Sequence, residues 1–306
     1  MRELRFRDDG TFKIVQFTDL HWTNGGEKDL ATQSLMRRIL EEERPDLAVL
    51  TGDVVYGKGC DDPRWSWRQA VLPLEEAGVP WAVVFGNHDD EGACDRKGFM
   101  ALSRETAYCV AEEGPADLPG VGNYRLVVRR SGPKAGGAGA VLYFIDSQSY
   151  APDTVGGWGW ITDEQVAWYR ELARVHQDDR GPGITALCFL HIPVPEYDDV
   201  WNAGGCVGTK AEDVCAPKIN TGFFAALFEA GEVIGVFAGH DHVNDYIGSH
   251  FGIYLAYGKV TGYGTYPRDP YPRGARVILL REGRRGFDTW IRLDDGSLVY
   301  PFSAGP

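Results

Sequence analysis

The apolar residues of this chain follow two rhythms. Short, nearly unbroken apolar runs at residues 12–17, 47–50, 81–85, 184–190 and 236–238 alternate with stretches in which apolar residues recur every three or four positions. The runs predict strands buried on both faces, and the stretches predict helices with one apolar stripe. Residues 29–43 put Leu35, Met36, Ile39 and Leu40 on one face, and Pro45 ends that helix. A second helix is predicted near 65–77 and a short one near 222–230. Thr162 followed by Gln165 is a capping-box signature, opening a helix to about residue 176 striped by Val166, Tyr169, Leu172 and Ala173. Residues 123–130 and 140–145 flank the glycine-rich 132–139, a pattern that predicts a hairpin with a long turn. Alternating strands are predicted near 245–247, 253–256, 276–280 and 288–293. Residues 193–220 read as irregular and too long for an idle connection, so they predict a lid or substrate loop. Strands alternating with helices give an α/β chain with a mostly parallel sheet. No repeat or low-complexity linker divides it, so 1–306 is expected to be a single domain.

The residues just past the apolar runs change the picture. Five runs stop at potential ligands: Asp19 and His21, Asp53, Asn87 and His88, His191, and His240 with His242. Ligands of open α/β sheets bind outside the carboxyl ends of strands, so these five ends can converge. In an extended segment, residues i and i+2 point the same way, which aims His240 and His242 at one place. Gly52, Gly86 and Gly239 each precede a candidate, where a missing Cβ lets the backbone turn sharply. The count suits two metal ions. Asp53 as a shared carboxylate would hold cations about 3.5–4 Å apart, with Asp19, His21 and His242 completing one and Asn87, His191 and His240 the other. Mixed imidazole, carboxylate and amide ligands suit Mn, Fe or Zn better than Mg or Ca alone. His88 points differently from Asn87 and is free to act catalytically, by stabilising phosphoryl oxygens or protonating a leaving group.

Each member also has an ordinary reading. An isolated Asp-x-His is usually a surface turn, Gly52-Asp53 alone an Asx turn, and His191 alone a core histidine. The ordered set is what points to metal. Tyr56 reads as pocket wall, and Asp89 and Asp241 as groups that orient imidazoles or form turns. Trp158, Trp160 and Trp168 read as packing residues rather than a substrate platform, His176 as a helix-end residue and His250 as part of a hairpin turn.

Charge and cysteine usage narrow the function classes. A formal net charge of -13 argues against a nucleic-acid backbone as partner, which calls for excess Lys and Arg. It leaves open a small phosphorylated substrate or a phosphoprotein, because bound cations reverse the local sign. The N-terminus has no apolar signal region and no run is long enough to span a membrane. The six cysteines include no CxxC pair, so free thiols and a cytoplasmic location are expected, with a Cys206–Cys215 bridge as the alternative.

Asp-x-His, Gly-Asp, Gly-Asn-His-Asp, a single His after a strand and Gly-His-x-His, in this order from Asp19 to His242, resemble a calcineurin-like metallophosphoesterase. The resemblance implies a four-layer sandwich of two central mixed β-sheets flanked by α-helices, and a dinuclear centre built from the same ligands. It implies hydrolysis of a phosphomonoester by in-line attack of a metal-bound hydroxide. A phosphodiesterase acting on cyclic nucleotides or phosphodiester lipids, and a metal-binding protein that acts by binding a partner, remain as alternatives. Residues 144–147 (Phe-Ile-Asp-Ser) and 257–264 (from Tyr257 to Gly264) resemble the purple acid phosphatase-like branch. True purple acid phosphatases colour through an iron-bound tyrosine at the spacing of Tyr56. They lack a histidine at the position of His21, however, and carry a further substrate histidine shortly after the one matching His191. This chain has His21 and no histidine between His191 and His240. The purple ferric form is therefore not expected.

Overall fold

The computed structural model describes residues 3–132, 137–175, 183–267 and 270–305. In chain order the elements are β1 (Leu4–Arg5), β2 (Thr11–Phe17), α1 (Glu27–Glu43), β3 (Leu47–Thr51), α2 (Pro63–Ala77), β4 (Trp81–Val84), α3 (Arg96–Arg104), β5 (Tyr124–Arg129) and β6 (Ala138–Phe144). They continue as α4 (Asp163–Val175), β7 (Thr185–Phe189), α5 (Glu196–Ala203), α6 (Phe223–Ala230), β8 (Val233–Ala238), β9 (Ile247–His250), β10 (Ile253–Tyr257), β11 (Gly274–Arg281), β12 (Phe287–Leu293) and β13 (Leu298–Ala304).

Two mixed sheets form the centre of the sandwich. One has the order β13-β12-β11-β2-β3-β4, and the other β1-β5-β6-β7-β8-β10-β9. β2, β3 and β4 run parallel, as do β6, β7, β8 and β10, while hairpin partners supply antiparallel pairs. The inner strands read as continuous apolar runs because both of their faces are covered. In β7, Leu187 and Phe189 face the core between the sheets, whereas Ala186 and Cys188 face the helix side. This is the two-residue alternation of a strand feeding two cores at once. Phe189 stacks on its neighbour Phe237 within one sheet, and Phe237 meets Phe287 across the gap, both at 5.4 Å between ring centroids. Polar groups also join the sheets. The buried Gln16 amide of β2 donates to the carbonyl of Ala238 in β8 (3.0 Å), and the Tyr124 hydroxyl of β5 donates to the carbonyl of Val83 in β4 (2.8 Å).

Several expectations shift. The strand expected near 245–247 begins only at Ile247 and runs to His250, because Asp245 is taken up by Lys259 and by the backbone of Thr209. His250 therefore ends a strand, and the hairpin turn falls on Phe251 and Gly252, both left-handed. The irregular segment 193–220 contains a helix, α5, whose Tyr197 hydroxyl lies 3.0 Å from the Val236 carbonyl and 3.1 Å from that of Ala256. The predicted C-terminal end of α4 at His176 and part of the glycine-rich turn lie outside the described residues. All six cysteines stand as free thiols, Cys206 and Cys215 included. Among the described residues, no helix is long and apolar enough to cross a membrane.

Candidate metal centre

Both sheets point the carboxyl ends of their parallel strands at one place. Asp19 and His21 follow β2, Asp53 follows β3, Asn87 and His88 follow β4, His191 follows β7, and His240 and His242 follow β8. Four of these residues, Asp19, His21, Asp53 and His240, have left-handed backbone, with φ between 47° and 78°. Asp, Asn and His tolerate that region better than most residues, yet it still costs on the order of 1–3 kcal/mol each where it is strained. Close neighbours hold them there. A Cβ on Gly86 would collide with the Asp53 carboxylate, and one on Gly239 with the Thr18 hydroxyl. Gly86 and Gly239 thus serve close approach, while of the three glycines only Gly52 makes a left-handed turn, at φ 87°.

The side chains fall into two groups that share Asp53. Potential ligand atoms of Asp19, His21, Asp53 and His242 all lie within 4.8 Å of one another, as do those of Asp53, His191 and His240. In the first group, Asp19 Oδ1 is 3.3 Å from His242 Nε2, and Asp53 Oδ2 is 3.5 Å from His21 Nε2. In the second, His191 Nε2 lies 3.3 Å from Asp53 Oδ2, 3.2 Å from Asn87 Oδ1 and 3.2 Å from His240 Nδ1. The candidate ligand side chains therefore lie together, in two groups that meet at Asp53. Asp19 Oδ1 and His21 Nε2 are buried without a hydrogen-bond partner. Natural structures seldom leave buried polar atoms unpaired, and a cation between them would satisfy both. The residues fit a dinuclear centre.

Hydrogen bonds set the ring orientations. His191 Nδ1 donates to the Thr51 carbonyl at 2.7 Å, which leaves Nε2 as the lone-pair nitrogen of the neutral ring. His242 Nδ1 lies 3.0 Å from the Tyr266 carbonyl and 2.8 Å from the Thr265 hydroxyl, so its Nε2 faces Asp19. Asp89 takes the turn-forming role rather than orienting an imidazole, and Asp241 orients no imidazole either. Asp89 accepts from the backbone N–H groups of Val55 and Gly86, tying the turn after β3 to the turn after β4. Asp241 accepts from the Tyr257 hydroxyl and the Cys215 N–H. Burial pushes both of these carboxyls up to about 7.

The carboxylates of the centre behave in the opposite way. Burial alone would raise Asp19, but His242 and His191 hold it down at about 2. Burial would likewise raise Asp53, and His191 and His21 keep it well below the usual range. Burial opposes a charge on His191, yet Asp53 and Asp19 raise it to about 9. His240 is lowered to about 3 by burial and by the neighbouring His191. The metal-free centre thus holds a proton on His191 that a cation has to displace.

A family model described as calcineurin-like phosphoesterase matches residues 12–244, from β2 through the last histidine of the centre. The chain belongs to this family. As a calcineurin-like phosphoesterase it is a hydrolase of phosphoric esters. A relative from Arabidopsis thaliana named probable inactive purple acid phosphatase 14 is 34% identical over 340 residues, covering 96% of this chain and 83% of the relative. Phosphatase DCR2 of Saccharomyces cerevisiae is 31% identical over 329 residues, covering 96% of this chain and 55% of that protein. Among solved structures, a dimetal phosphatase from Danio rerio shares the calcineurin-like phosphoesterase fold, with a TM-score of 0.65 over 96% of this chain and 98% of that one at 14% identity.

Beside the two groups stands His88. Its backbone N–H donates to Asp53 Oδ1 (2.8 Å), and its Nδ1 is 2.7 Å from Glu91 Oε2. Glu91 also accepts from Lys58 and from the Tyr150 hydroxyl, each at 2.6 Å, and Asn87 Nδ2 donates to that same hydroxyl. Sequence reasoning does not single out Glu91 or Tyr150. Glu91 lies three residues beyond His88 across a single 3-10 turn, a spacing that could have found it; Tyr150 carries no local signal. Tyr56 borders the centre, its ring nearly parallel to His21 at 6.1 Å. Trp158, expected only to pack, stands perpendicular to His240 at 4.2 Å between ring centroids.

Proposed function

We propose that the chain hydrolyses a phosphomonoester, with water displacing the alcohol in line at phosphorus. The observation that carries this reading is the sharing of Asp53 between two ligand groups, with His88 fixed at their edge by Glu91. Two cations, Mn, Fe or Zn by the donor mix, would supply water activation near neutral pH and offset phosphoryl charge. Asp19, His21 and His242 would hold one, Asn87, His191 and His240 the other, and Asp53 both.

The chain's own groups do the remainder. With Nδ1 engaged by Glu91, His88 offers Nε2 to the substrate, where it stabilises a phosphoryl oxygen or passes a proton to the departing alcohol oxygen. The segment 193–220 shapes the leaving-group side. It is fastened beside His242 through Glu212, which accepts from the Val243 N–H and the Tyr266 hydroxyl. A cytoplasmic location, suited to six free thiols, belongs to the same reading.

The name of the Arabidopsis thaliana relative, probable inactive, favours a second reading in which the metal centre serves partner binding. The His88–Glu91 pair speaks against it, because a structural centre has no use for an oriented imidazole outside the ligand set. Protein reloaded with Mn²⁺ is expected to turn over a chromogenic phosphomonoester faster than the matching phosphodiester. His88→Ala should lower that kcat by about a hundredfold. Faster diester turnover would reassign the chain to diesters, and silence on both with metal bound would favour the partner-binding reading.

A further inference from the structure

Residues 149–159 form a small arm at the mouth of the centre. Ala151 N–H donates to the Gly157 carbonyl and Gly159 N–H to the Ser149 carbonyl, both at 2.9 Å. Tyr150 and Trp158 pair across the arm as an antiparallel bridge. Lys218 Nζ holds the tip through the Val155 carbonyl at 2.8 Å. Paired positions on an antiparallel ladder put their side chains on one face. Their rings stack at 5.6 Å with 30° between planes, and Tyr150 stays 47% exposed.

Both rings are registered to the metal centre. The Tyr150 hydroxyl bonds Asn87 and Glu91, and Glu91 bonds His88. Trp158 stands against His240. The pair therefore borders the centre between His240 and the Glu91 that holds His88. The charged neighbours there, Lys58 and Glu91, already neutralise each other at 2.6 Å. Lys58 Nζ also lies over the Tyr150 ring at 5.8 Å, and beside it the pair presents π surface.

We infer that the leaving alcohol of the substrate carries a planar ring that lies against the Tyr150–Trp158 pair. This rests on the phosphomonoesterase reading. Water adds to phosphorus, the bond from phosphorus to the alcohol oxygen breaks, and that oxygen leaves protonated on the ring-bearing alcohol. A nucleoside and a phenolic side chain share this chemistry, and matched substrates separate them.

The test measures kcat and KM of Mn²⁺-loaded wild type and Trp158→Ala on two pairs: adenosine 5′-monophosphate with ribose 5-phosphate, and O-phosphotyrosine with O-phosphoserine. Comparing wild type with variant on each substrate cancels intrinsic leaving-group reactivity. For the member of one pair that carries a planar ring, Trp158→Ala should lose at least about tenfold more kcat/KM than for the partner without one, mainly through KM. Trp158→Phe should restore most of the difference. The pair that shows it names the source of the ring. Equal losses within both pairs would overturn the inference while leaving the phosphomonoesterase reading in place. Failure of metal-loaded wild type on all four substrates would remove both.

Discussion

The two sheets contribute unequal chemistry to the centre. The six-stranded sheet, through the ends of β2, β3 and β4, supplies both carboxylates, the Asn87 amide, His21 and the catalytic candidate His88. The seven-stranded sheet, through β7 and β8, supplies three imidazoles, His191, His240 and His242. The ligand carboxylates therefore all lie on one layer, and the other layer offers imidazoles alone. Without cations, the charge of Asp53 is answered by a proton on His191. With cations bound by these residues, the layers would be joined by coordination in addition to the apolar contacts and the Gln16 bond beneath them.

Removing one donor from each layer tests this asymmetry most severely. Asp53→Asn weakens both ligand groups and should cost about a thousandfold in kcat/KM together with both cations, given the several kcal/mol such ions contribute. His240→Ala removes a donor from one group only and should retain the cation held by Asp19, His21 and His242. Metal analysis of the two purified variants decides it, and equal retention would show that Asp53 is not shared between the two groups.

Cation removal is the next largest effect. A ligand bound by the folded state alone stabilises it, and at a hundredfold excess over Kd this is about 2.7 kcal/mol. For a chain of 306 residues, chelation should then lower Tm by about 4 °C per cation lost in a calorimetric scan. An unchanged Tm would mean that the sheets meet equally well without metal.

The smallest effect is graded with pH. His191 is raised above its unfolded value of about 6.5, so in metal-free protein its contribution to stability is complete below that pH and is lost as pH rises through about 9. Metal competes with the same proton, so cation affinity should increase from about pH 6.5 to about pH 9, by up to about tenfold per unit for one displaced proton. Calorimetric titrations across that interval measure the slope, and a flat response would mean that no His191 proton is displaced.

The strand ends are legible in the sequence because buried parallel strands leave abrupt apolar runs, and every predicted ligand sits just past one. Elements that bury little leave weaker marks. β13 exposes Leu298 and contains Pro301, so its pattern resembles a tail. α3 does have a local start signal in Asp95, which accepts from the Gly98 N–H at 2.8 Å. Its interior hides it, because Gly98 weakens the helical pattern and Arg96 occupies a buried position. The partner that neutralises Arg96 is Asp146, 50 residues further along, so nothing local explains a buried arginine. α5 gives little signal because only Tyr197 and Val200 are buried, too few to set a period. The aromatic arm is hidden for a related reason: Trp158 and His240 meet only after β6 and β8 are placed.

The left-handed backbone at Asp19, His21, Asp53 and His240 has a consequence for descent. Few residue types accept that handedness, and Asp, His, Asn and Gly head the group. The first three also bind metal. Glycine at one of these places would keep the turn and abolish the donor, whereas a β-branched residue would damage the turn itself. In any lineage that drifts away from catalysis, these four sites would therefore record which was relinquished first, the ion or the architecture.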